Sequence, residues 1–351
     1  MSIVLITGSC GLVGSEAVNF FSKKGFDVLG IDNNYRKFFF GEDGSVKWAK
    51  NKLLKENKRY KHFNIDIRNF NGLEKIFKQN KKRISLIIHC AAQPSHDYGK
   101  NFPNLDFSIN ATGTLNLLRL TEKYCNQASF IFMSTNKVYG DNPNQLSFIE
   151  KKTRWELKKT NKYFKGIKEN FSIDNCTHSF FGVSKSYADL IVQEYGKNIG
   201  LSTACFRGGC ITGPNHSGAK LHGFLSYLVK ISLSKKQYSL IGYKGKQVRD
   251  NLHSIDLVNC FWEFYKKPRK GEVYNIGGGR FSNCSIVEAL DLVEKFSNIK
   301  IKRNYINKPR IGDHQWYISD LSKFKKHYPG WKQKYNTEKI IKELVDNKID
   351  N

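Results

Sequence analysis

Three glycines near the start of the chain could bind a phosphate-containing cofactor. Gly8, Gly11 and Gly14 have the spacing G-x-x-G-x-x-G, with Leu12 and Val13 inside the motif. Glycines with this spacing permit a tight turn, close approach of the main chain to a pyrophosphate, and close packing of a helix on a strand. The N-terminus of the helix that follows would present unpaired N–H groups to the phosphates. These five residues therefore predict part of a dinucleotide-binding site.

A carboxylate follows at the end of the next apolar run. The run DVLGID ends at Asp32, 18 residues beyond Gly14, and Asn33 comes directly after it. A carboxylate at this point accepts hydrogen bonds from the adenosine ribose and repels a 2′-phosphate. The pattern favours NAD over NADP and places Asp32 and Asn33 among the cofactor-binding residues. Arg36 lies nearby and could accommodate a 2′-phosphate, but a mobile surface arginine is the interpretation we prefer.

Positioning these residues requires a strand, a glycine turn and a helix. SIVLIT at 2–7 is a short apolar run, and the pattern from Leu12 to Lys24 predicts a helix that Gly25 closes. Further strands are expected at 60–66, 84–89, 129–134 and 202–207, with helical stretches between them. The alternation predicts an α/β fold with a Rossmann-type, doubly wound parallel sheet.

The composition is that of a globular chain. It has 351 residues, of which 40% are hydrophobic, enough to fill a real core. No apolar run approaches the ~18 residues of a membrane span, and SIVLIT is too short for a signal peptide, so we expect a cytoplasmic protein with no membrane partner. The eight cysteines are scattered, without a C-x-x-C pair or histidines at metal-binding spacing, which predicts reduced thiols and no metal.

The net charge of +27 raises the question of a nucleic-acid partner. The basic residues are spread over nearly every segment, which is typical of a solvated surface rather than of one binding face. We therefore expect no specific nucleic-acid partner. The charge does favour an anionic small-molecule substrate.

Longer motifs give the chain a more specific resemblance. The glycine spacing, Asp32 and Asp66, together with HCAAQPS, INATGTLNLL and STNKVYGD, resemble the extended short-chain dehydrogenase/reductase family of nucleotide-sugar epimerases and dehydratases. The resemblance runs almost from end to end. Within that family, the strings AAQPSHD, STNKVYGD, KQVRDNLHSID and RIGDHQWYISD look most like the CDP-paratose (CDP-tyvelose) 2-epimerase group.

The resemblance implies a two-domain NAD enzyme with a nucleotide-sugar substrate. We expect an NAD-binding Rossmann domain over 1–211, to which a segment near 247–280 returns, and a smaller C-terminal α/β domain over 212–351 that mainly binds the nucleotide sugar. The family commonly dimerises through two helices of each subunit, so a homodimer is expected.

The implied reaction is epimerisation, at C2 of a CDP-sugar, by transient oxidation to a keto-sugar and re-reduction from the opposite face. A 4-epimerase and a 4,6-dehydratase of the same family are the enzymatic alternatives. Dehydratases of this kind usually carry an Asp-Glu pair after the catalytic Ser or Thr. Asn136 and Lys137 stand there in this chain, which disfavours dehydration.

Carried over by position, the resemblance adds residues to the cofactor site. Asp66 and Ile67 are expected beside the adenine. Lys185 matches the family's lysine and is expected to contact the cofactor and to act in catalysis. The other expected cofactor contacts are Ala91, Ala92, Gln93 and Asn110. For Asn110 the alternative is that its amide satisfies nearby main-chain groups.

Substrate-binding positions carry over in the same way. Arg249 and Arg310 match arginines that hold the diphosphate, which suits the planar fork of a guanidinium. Thr135 takes the position of the family's catalytic Ser or Thr and is expected at the substrate. The other expected substrate contacts are Ser95, His96, Asn215 and His222.

One catalytic position departs from the family pattern. The family has a tyrosine whose pKa is lowered by a lysine one helical turn later, but the string HSFFGVSK has Phe181 there. Another group must then take the proton of the sugar hydroxyl. We prefer Lys137, because burial and positive neighbours can depress the pKa of a lysine, and His96 and Asp97 are the alternatives. A scaffold that binds NAD without catalysis is the competing interpretation.

Two further features have open interpretations. The aromatic and basic stretch at 34–50 could be a lid, a dimer contact or a surface loop tucked onto the domain. Tyr139 is expected to pack against its neighbours rather than to take part in chemistry.

Overall fold

The computed structural model describes residues 2–215, 223–234, 236–308 and 312–349. The chain divides into two units, and each is built from three separate stretches of sequence. Unit 1 consists of Met1–Val138, Phe180–Arg207 and Leu257–Tyr274. Unit 2 consists of Tyr139–Ser179, Gly208–Asp256 and Asn275–Asn351.

Strands and helices alternate along most of the described chain. The strands are β1 Ile3–Thr7, β2 Asp27–Ile31, β3 Tyr60–Phe63, β4 Ile84–His89, β5 Ser129–Thr135, β6 Phe148–Glu150, β7 Trp155–Leu157, β8 Ser202–Gly208, β9 Cys210–Thr212, β10 Tyr238–Ile241, β11 Val248–His253, β12 Glu272–Ile276, β13 Asn283–Ser285, β14 Arg303–Ile306 and β15 Trp316–Tyr317. The α-helices are α1 Leu12–Lys23, α2 Arg36–Phe40, α3 Lys47–Glu56, α4 Phe70–Asn80, α5 His96–Asn101, α6 Pro103–Phe107, α7 Gly113–Cys125, α8 Phe180–Lys197, α9 Phe224–Leu233, α10 Ser254–Lys266, α11 Ile286–Ser297, α12 Ser322–His327 and α13 Thr337–Ile349.

A seven-stranded sheet organises unit 1. Its order is β12-β8-β5-β4-β1-β2-β3, and the pairings from β5 through β4, β1 and β2 to β3 are parallel. The chain runs outward from β1 to β3 and then crosses back to β4, so the direction of winding reverses between β1 and β4. Ligands of open α/β sheets bind at such a reversal, beyond the carboxyl ends of the strands. The α/β fold with a Rossmann-type, doubly wound sheet is therefore confirmed.

The core of unit 1 lies on both faces of this sheet. All five residues of β1 are buried, as expected for a central parallel strand covered by helices on each side. The helix predicted from Leu12 to Lys24 ends one residue earlier, at Lys23. The strand predicted at 60–66 is shorter than expected and ends at Phe63.

The stretch at 34–50 folds onto unit 1. It contains α2, a 3₁₀ turn at Glu42–Gly44 and the start of α3. The Asn34 side-chain oxygen accepts a hydrogen bond from the Val46 N–H at 2.8 Å. Phe39 is buried, and its ring packs edge-on against Tyr98 with centroids 5.3 Å apart. Of the three interpretations of this stretch, the packing fits a surface loop tucked onto the domain.

Unit 2 contains smaller sheets and its own core. β11 pairs with β13, β15 and β9, and β10 pairs with β14. The apolar faces of α9, α11 and α13 pack together. They contribute Leu225, Leu228, Val229, Ala289, Leu290, Val293, Ile340, Ile341, Leu344 and Val345 to one buried cluster.

The units differ from the expected domains of 1–211 and 212–351. Residues 139–179 lie in unit 2, and the stretch that returns to unit 1 is 257–274 rather than 247–280. The reason is visible in the main-chain hydrogen bonds of Ile167. Its N–H donates to the Ile318 carbonyl at 2.7 Å, and its carbonyl accepts from the Asp320 N–H at 2.9 Å.

Neither a membrane-spanning helix nor a metal-binding cluster occurs among the described residues. In this part of the chain, no helix is long and apolar enough to cross a membrane. The same residues contain no group of three or more His, Cys, Asp or Glu side chains that could hold a metal ion.

Candidate active site

The glycine turn between β1 and α1 forms a close-packed cradle. Gly8 has a φ of +67°, a conformation that favours glycine, and a Cβ on it would lie 2.7 Å from the Ala91 nitrogen. A Cβ on Gly14 would overlap the Gly8 carbonyl oxygen. Any side chain at either position would push the turn, α1 and the residues after β4 apart. The glycine spacing thus brings the main chain and the start of α1 close together, as a pyrophosphate site requires.

The start of α1 is suited to an anion. Gly11 is the N-cap residue and offers no side chain to the free N–H groups of the first turn, which contains no acidic residue. Leu12 and Val13 begin the helix and are half-buried. These main-chain N–H groups can bind phosphate oxygens, and the helix dipole favours the negative charge.

Asp32 stands directly after β2, beside the glycine turn. One carboxylate oxygen accepts a hydrogen bond from the Cys10 N–H at 3.0 Å, and the other accepts from the Asn34 N–H at 2.8 Å. Burial raises the pKa of this carboxyl, while the two main-chain N–H groups oppose the shift. The side chain is therefore fixed in orientation, and each oxygen keeps further capacity to accept a ribose hydroxyl.

Asn33 and Asp66 are joined at the carboxyl ends of β2 and β3. The Asn33 side-chain amide donates to an Asp66 oxygen at 3.0 Å, and Arg68 pairs with the same carboxylate at 2.7 Å. Burial opposes ionisation, but the bonds from Arg68 hold the pKa of Asp66 below its usual range. Ile67 is buried against the start of α7, where a Cβ on Gly113 would lie 2.5 Å from the Ile67 side chain. The predicted adenine contacts therefore share one edge of unit 1 with Asp32.

These observations fit a dinucleotide. The turn leaves no space for a side chain at Gly8 or Gly14, the helix start is free of acidic groups, and a fixed carboxylate follows the second strand. This is the arrangement that binds the pyrophosphate and ribose of NAD.

The loop after β4 carries Ala91, Ala92 and Gln93. Ala91 and Ala92 are half-buried, and the Ala91 N–H donates to Thr7 Oγ1 at 3.3 Å. Gln93 is buried, and its side-chain amide donates to the Ser95 carbonyl at 2.7 Å and to an Asp106 oxygen at 2.5 Å. Ser95 is also buried and caps α5 by accepting from the Tyr98 N–H at 3.5 Å.

Asn110 is buried at the centre of this polar group. Its side-chain oxygen accepts from the Gln93 N–H at 2.9 Å, and its amide donates to the Gln93 carbonyl at 3.2 Å. The same amide donates to Ser184 Oγ of α8 at 3.0 Å. Asn110 thus satisfies main-chain groups, the alternative considered from sequence, and it also ties the loop after β4 to α8.

Thr135 ends β5 and is half-buried. Its Oγ1 accepts a hydrogen bond from the Lys137 N–H at 3.2 Å, which fixes the single 3₁₀ turn at Asn136–Tyr139. Lys137 is half-buried in that turn. Tyr139, at its end, is fully buried and donates through its hydroxyl to Asn275 at 2.8 Å, as expected for a packing residue.

Lys185 is buried and lies in the second turn of α8. Its ammonium donates to the Met133 carbonyl at 2.7 Å and lies 4.1 Å from the centre of the Phe132 ring. Burial lowers its pKa to about 8. An amine with this pKa exchanges its proton near neutral pH, which an exposed lysine does not.

Phe181 lies one helical turn before Lys185 and is 7% exposed. The half-buried imidazole of His96 packs edge-on against its ring, with centroids 5.0 Å apart and an interplanar angle of 61°. Asp97, the next residue of α5, is exposed. Within unit 1, His96 therefore contacts Phe181, the residue that stands where the family has a tyrosine.

Unit 2 carries the expected substrate residues from the second half of the chain. Arg249 is buried in β11 and pairs with Asp313 at 2.5 Å, and its guanidinium also donates to the Val248 carbonyl at 2.8 Å. Asn215 is half-buried in a turn after β9. His222 and Arg310 lie outside the described residues.

Sequence reasoning missed Asp106 and Ser184. Asp106 is buried, and burial raises the pKa of its carboxyl although the Gln93 amide donates a hydrogen bond to it. Asp106 precedes Asn110 by four residues, so helical spacing would have placed the two side chains on one face. Ser184 directly precedes Lys185, but only the folded contact with Asn110 identifies its role.

The chain is similar to known proteins along nearly its whole length. The model of the NAD dependent epimerase/dehydratase family matches residues 4–277. The chain is 29% identical to CDP-paratose 2-epimerase of Salmonella typhi, over 98% of each chain. It is 27% identical to UDP-glucuronate 4-epimerase of Thermodesulfobacterium geofontis, over 99% of this chain and 96% of the other. The structure of UDP-glucose 4-epimerase from Bifidobacterium longum, in complex with NAD⁺ and UDP, superposes with a TM-score of 0.81 at 22% identity, covering 100% of this chain and 99% of that one.

Proposed function

The chain belongs to the family of NAD-dependent epimerases and dehydratases, and we propose that it inverts a carbon of a nucleotide sugar, specifically C2 of a CDP-sugar. The observation that carries the specific assignment is the similarity to CDP-paratose 2-epimerase across 98% of both chains. Asn136 and Lys137 after Thr135, in place of an acidic pair, favour epimerisation over dehydration.

NAD is the cofactor of the family, and it supplies a reversible acceptor for hydride from the sugar carbon. In this chain the N–H groups at the start of α1 would bind the pyrophosphate, and the Asp32 carboxylate would accept hydrogen bonds from the hydroxyls of the adenosine ribose. Asp66 and Ile67 would border the adenine. Ala91, Ala92 and Gln93 would line the phosphate and ribose side, where the hydrogen bonds of Gln93 fix the loop.

We assign to Lys185 a contact with the nicotinamide ribose. Its burial and its bond to the Met133 carbonyl hold the ammonium in one place on α8. Thr135, at the end of β5, is assigned a hydrogen bond to the reacting sugar hydroxyl.

We assign the binding of the diphosphate of the nucleotide sugar to unit 2. The guanidinium of Arg249 is buried and held by Asp313 and the Val248 carbonyl, so a phosphate would meet a cation whose orientation is already set. Arg310, His222 and Asn215 remain assigned to the substrate from the family resemblance.

Oxidation of the sugar requires a base. If hydride left carbon while the hydroxyl kept its proton, positive charge would build up on oxygen. Phe181 has no ionisable group, so the base is another residue, and Lys137, His96 and Asp97 are the candidates. Because Phe181 replaces the usual tyrosine, the alternative is a scaffold that binds NAD without turnover.

The test is turnover of the NAD-loaded protein on CDP-, UDP- and GDP-sugars, with product configuration read by NMR. We expect one inverted carbon, at C2 of a CDP-sugar. In D₂O the inverted carbon should remain essentially free of deuterium, because hydrogen leaves and returns as hydride. Deuterium at that carbon would instead indicate proton abstraction. Inversion at C4 would indicate a 4-epimerase, and a 4-keto-6-deoxy product would indicate a dehydratase. If no sugar is turned over, the protein is a scaffold that binds NAD without catalysis.

A further inference from the structure

We infer that His96 takes over the proton transfer that the absent tyrosine hydroxyl performs in the family. This inference rests on the proposed function, since it names the residue that accepts the proton of the sugar hydroxyl during oxidation and returns it during re-reduction.

The first support is direct contact at the position concerned. A tyrosine at 181 would carry its hydroxyl at the rim of the ring that Phe181 now presents. The His96 imidazole lies edge-on against that ring, with centroids 5.0 Å apart. Phe181 is 7% exposed while His96 is half-buried, so the imidazole is the more accessible partner. An imidazole, which can accept a proton and return it, therefore lies beside the place where the family has a phenol hydroxyl.

The second support is the close approach of α5 to the start of α8. A Cβ on Gly99 would lie 2.9 Å from the Phe181 nitrogen, so only a glycine allows the two helices to come this near. His96 and Gly99 are three residues apart on α5 and therefore share one face. The face that Gly99 presses against α8 is the face that carries the imidazole.

The third support is a hydrogen-bonded chain that fixes α5 relative to α8. Gln93 donates to the Ser95 carbonyl, and Ser95 caps α5. Gln93 also donates to Asp106, and Asn110 joins Gln93 to Ser184 of α8. Ser184 in turn donates to the Phe181 carbonyl at 3.1 Å. Every member of this chain is buried, which gives His96 the rigid support that a catalytic group requires.

The proposed step balances in both directions. During oxidation the O–H bond of the sugar breaks and its proton moves to the imidazole, while the hydrogen on the same carbon leaves as hydride to NAD⁺, which gives a keto-sugar and imidazolium. During re-reduction hydride returns to the opposite face of the carbonyl, and the imidazolium gives its proton back to the oxygen. Histidine ends in its starting state, as catalysis requires.

The test compares His96→Ala with the double variant His96→Ala/Phe181→Tyr. The single variant should lower kcat by about 10²-fold to 10⁴-fold, the range for loss of a general base. The double variant restores a phenol one turn before Lys185 and removes the imidazole that would crowd it, so it should regain at least about tenfold over the single variant. A merely structural role for His96 would not be relieved by a new hydroxyl at 181.

Two readouts do not depend on turnover. Bound NAD should be retained by His96→Ala. In protein labelled at histidine, the NMR resonance that His96→Ala removes should shift when a CDP-sugar is added to the NAD-loaded wild type. An unshifted His96 resonance would overturn the inference.

His327→Ala is the matched control. His327 is half-buried and packs edge-on against an aromatic ring, that of Tyr328, but it lies on α12 in unit 2. Its replacement should leave turnover unchanged.

Lys137→Met tests the competing assignment, with the half-buried Lys323→Met of α12 as its control. The inference is overturned if His96→Ala keeps wild-type turnover, if Phe181→Tyr brings no recovery, or if Lys137→Met abolishes turnover while His96→Ala does not. A wild type that turns over no nucleotide sugar would overturn the proposed function itself, and this inference with it.

Discussion

We expect the choice between NAD and NADP to depend on Asp32. Both of its oxygens are held by main-chain N–H groups, so its negative charge faces the expected ribose in one fixed orientation. A 2′-phosphate brought to this carboxylate would meet a like charge, which costs binding free energy.

We predict that the wild type binds NAD more tightly than NADP and that Asp32→Ala weakens NAD binding. Hydrogen bonds to a charged group contribute about 1.5–3 kcal/mol, so the loss should be on the order of tenfold to a hundredfold. Asp32→Asn, which keeps the shape and removes the charge, should narrow the preference for NAD. Equilibrium titration with each cofactor measures both effects. Asp27→Ala, at the other end of β2, is the control, and equal wild-type affinities for the two cofactors would contradict the role of Asp32.

Local sequence patterns predict the contacts of the glycine turn better than the contacts around Phe181. Gly14 and Asp32 form their contacts with residues of the same strand-turn-helix-strand stretch and the residues directly after it, and such short-range relations can be inferred from spacing. The contact of His96 with Phe181 joins residues 85 positions apart through the packing of α5 on α8. No spacing rule encodes that contact, whereas nearness to Thr135 in sequence favours Lys137.

The packing of α1 on the glycine turn determines the position of the whole helix. A Cβ at Gly14 would overlap the Gly8 carbonyl oxygen and lie 2.8 Å from the Ser9 Cα, and neither atom belongs to a flexible side chain. The helix would therefore have to move away from β1, and its N–H groups would move with it.

We predict that Gly14→Ala destabilises the protein and weakens NAD binding together. Overpacking of this kind costs about 1–3 kcal/mol, which should appear as a lower midpoint of thermal unfolding. Ser22→Ala, two turns further along α1, is the comparison variant. A Gly14→Ala protein with unchanged unfolding and unchanged NAD affinity would contradict the close packing of α1 on the turn.

Sequence patterns predict the individual elements less completely than the fold class. The main strands of the parallel sheet follow apolar runs, which predict them, although β3 ends earlier than expected. The placement of residues 139–179 in unit 2 does not follow from such patterns, because it depends on main-chain bonds of Ile167 to residues near Ile318. Those partners are about 150 residues away, and neither stretch has an apolar pattern that indicates the pairing.

Unit 1 has a stripe of exposed apolar side chains on its surface. It runs along α8 at helical spacing, through Phe180 at 55% exposure, Val183 at 54%, Tyr187 at 37% and Leu190 at 47%. The half-exposed ring of Phe107 on α6 lies 5.7 Å from the ring of Tyr187. Apolar stripes of this kind are typical of protein interfaces.

We predict that this stripe is the homodimer contact and that the wild type sediments as a dimer at micromolar concentration. Val183→Lys/Leu190→Lys should give monomers that still bind NAD, because charges would be buried without partners. Leu54→Lys, at a similarly exposed leucine of α3, should leave the dimer intact. A wild type that sediments only as a monomer would contradict the prediction.

The division of unit 1 into three stretches also has a consequence for how the chain folds. β1 and β12 belong to one sheet, although about 270 residues separate them. Pairing over such distances requires large loops to close first, which slows folding. During synthesis β5 remains an open apolar edge until β8 emerges from the ribosome, some 70 residues later, and β8 remains open until β12 follows. Open edges of this kind invite aggregation, so nascent chains of this protein should depend on chaperones for longer than their first strands would suggest.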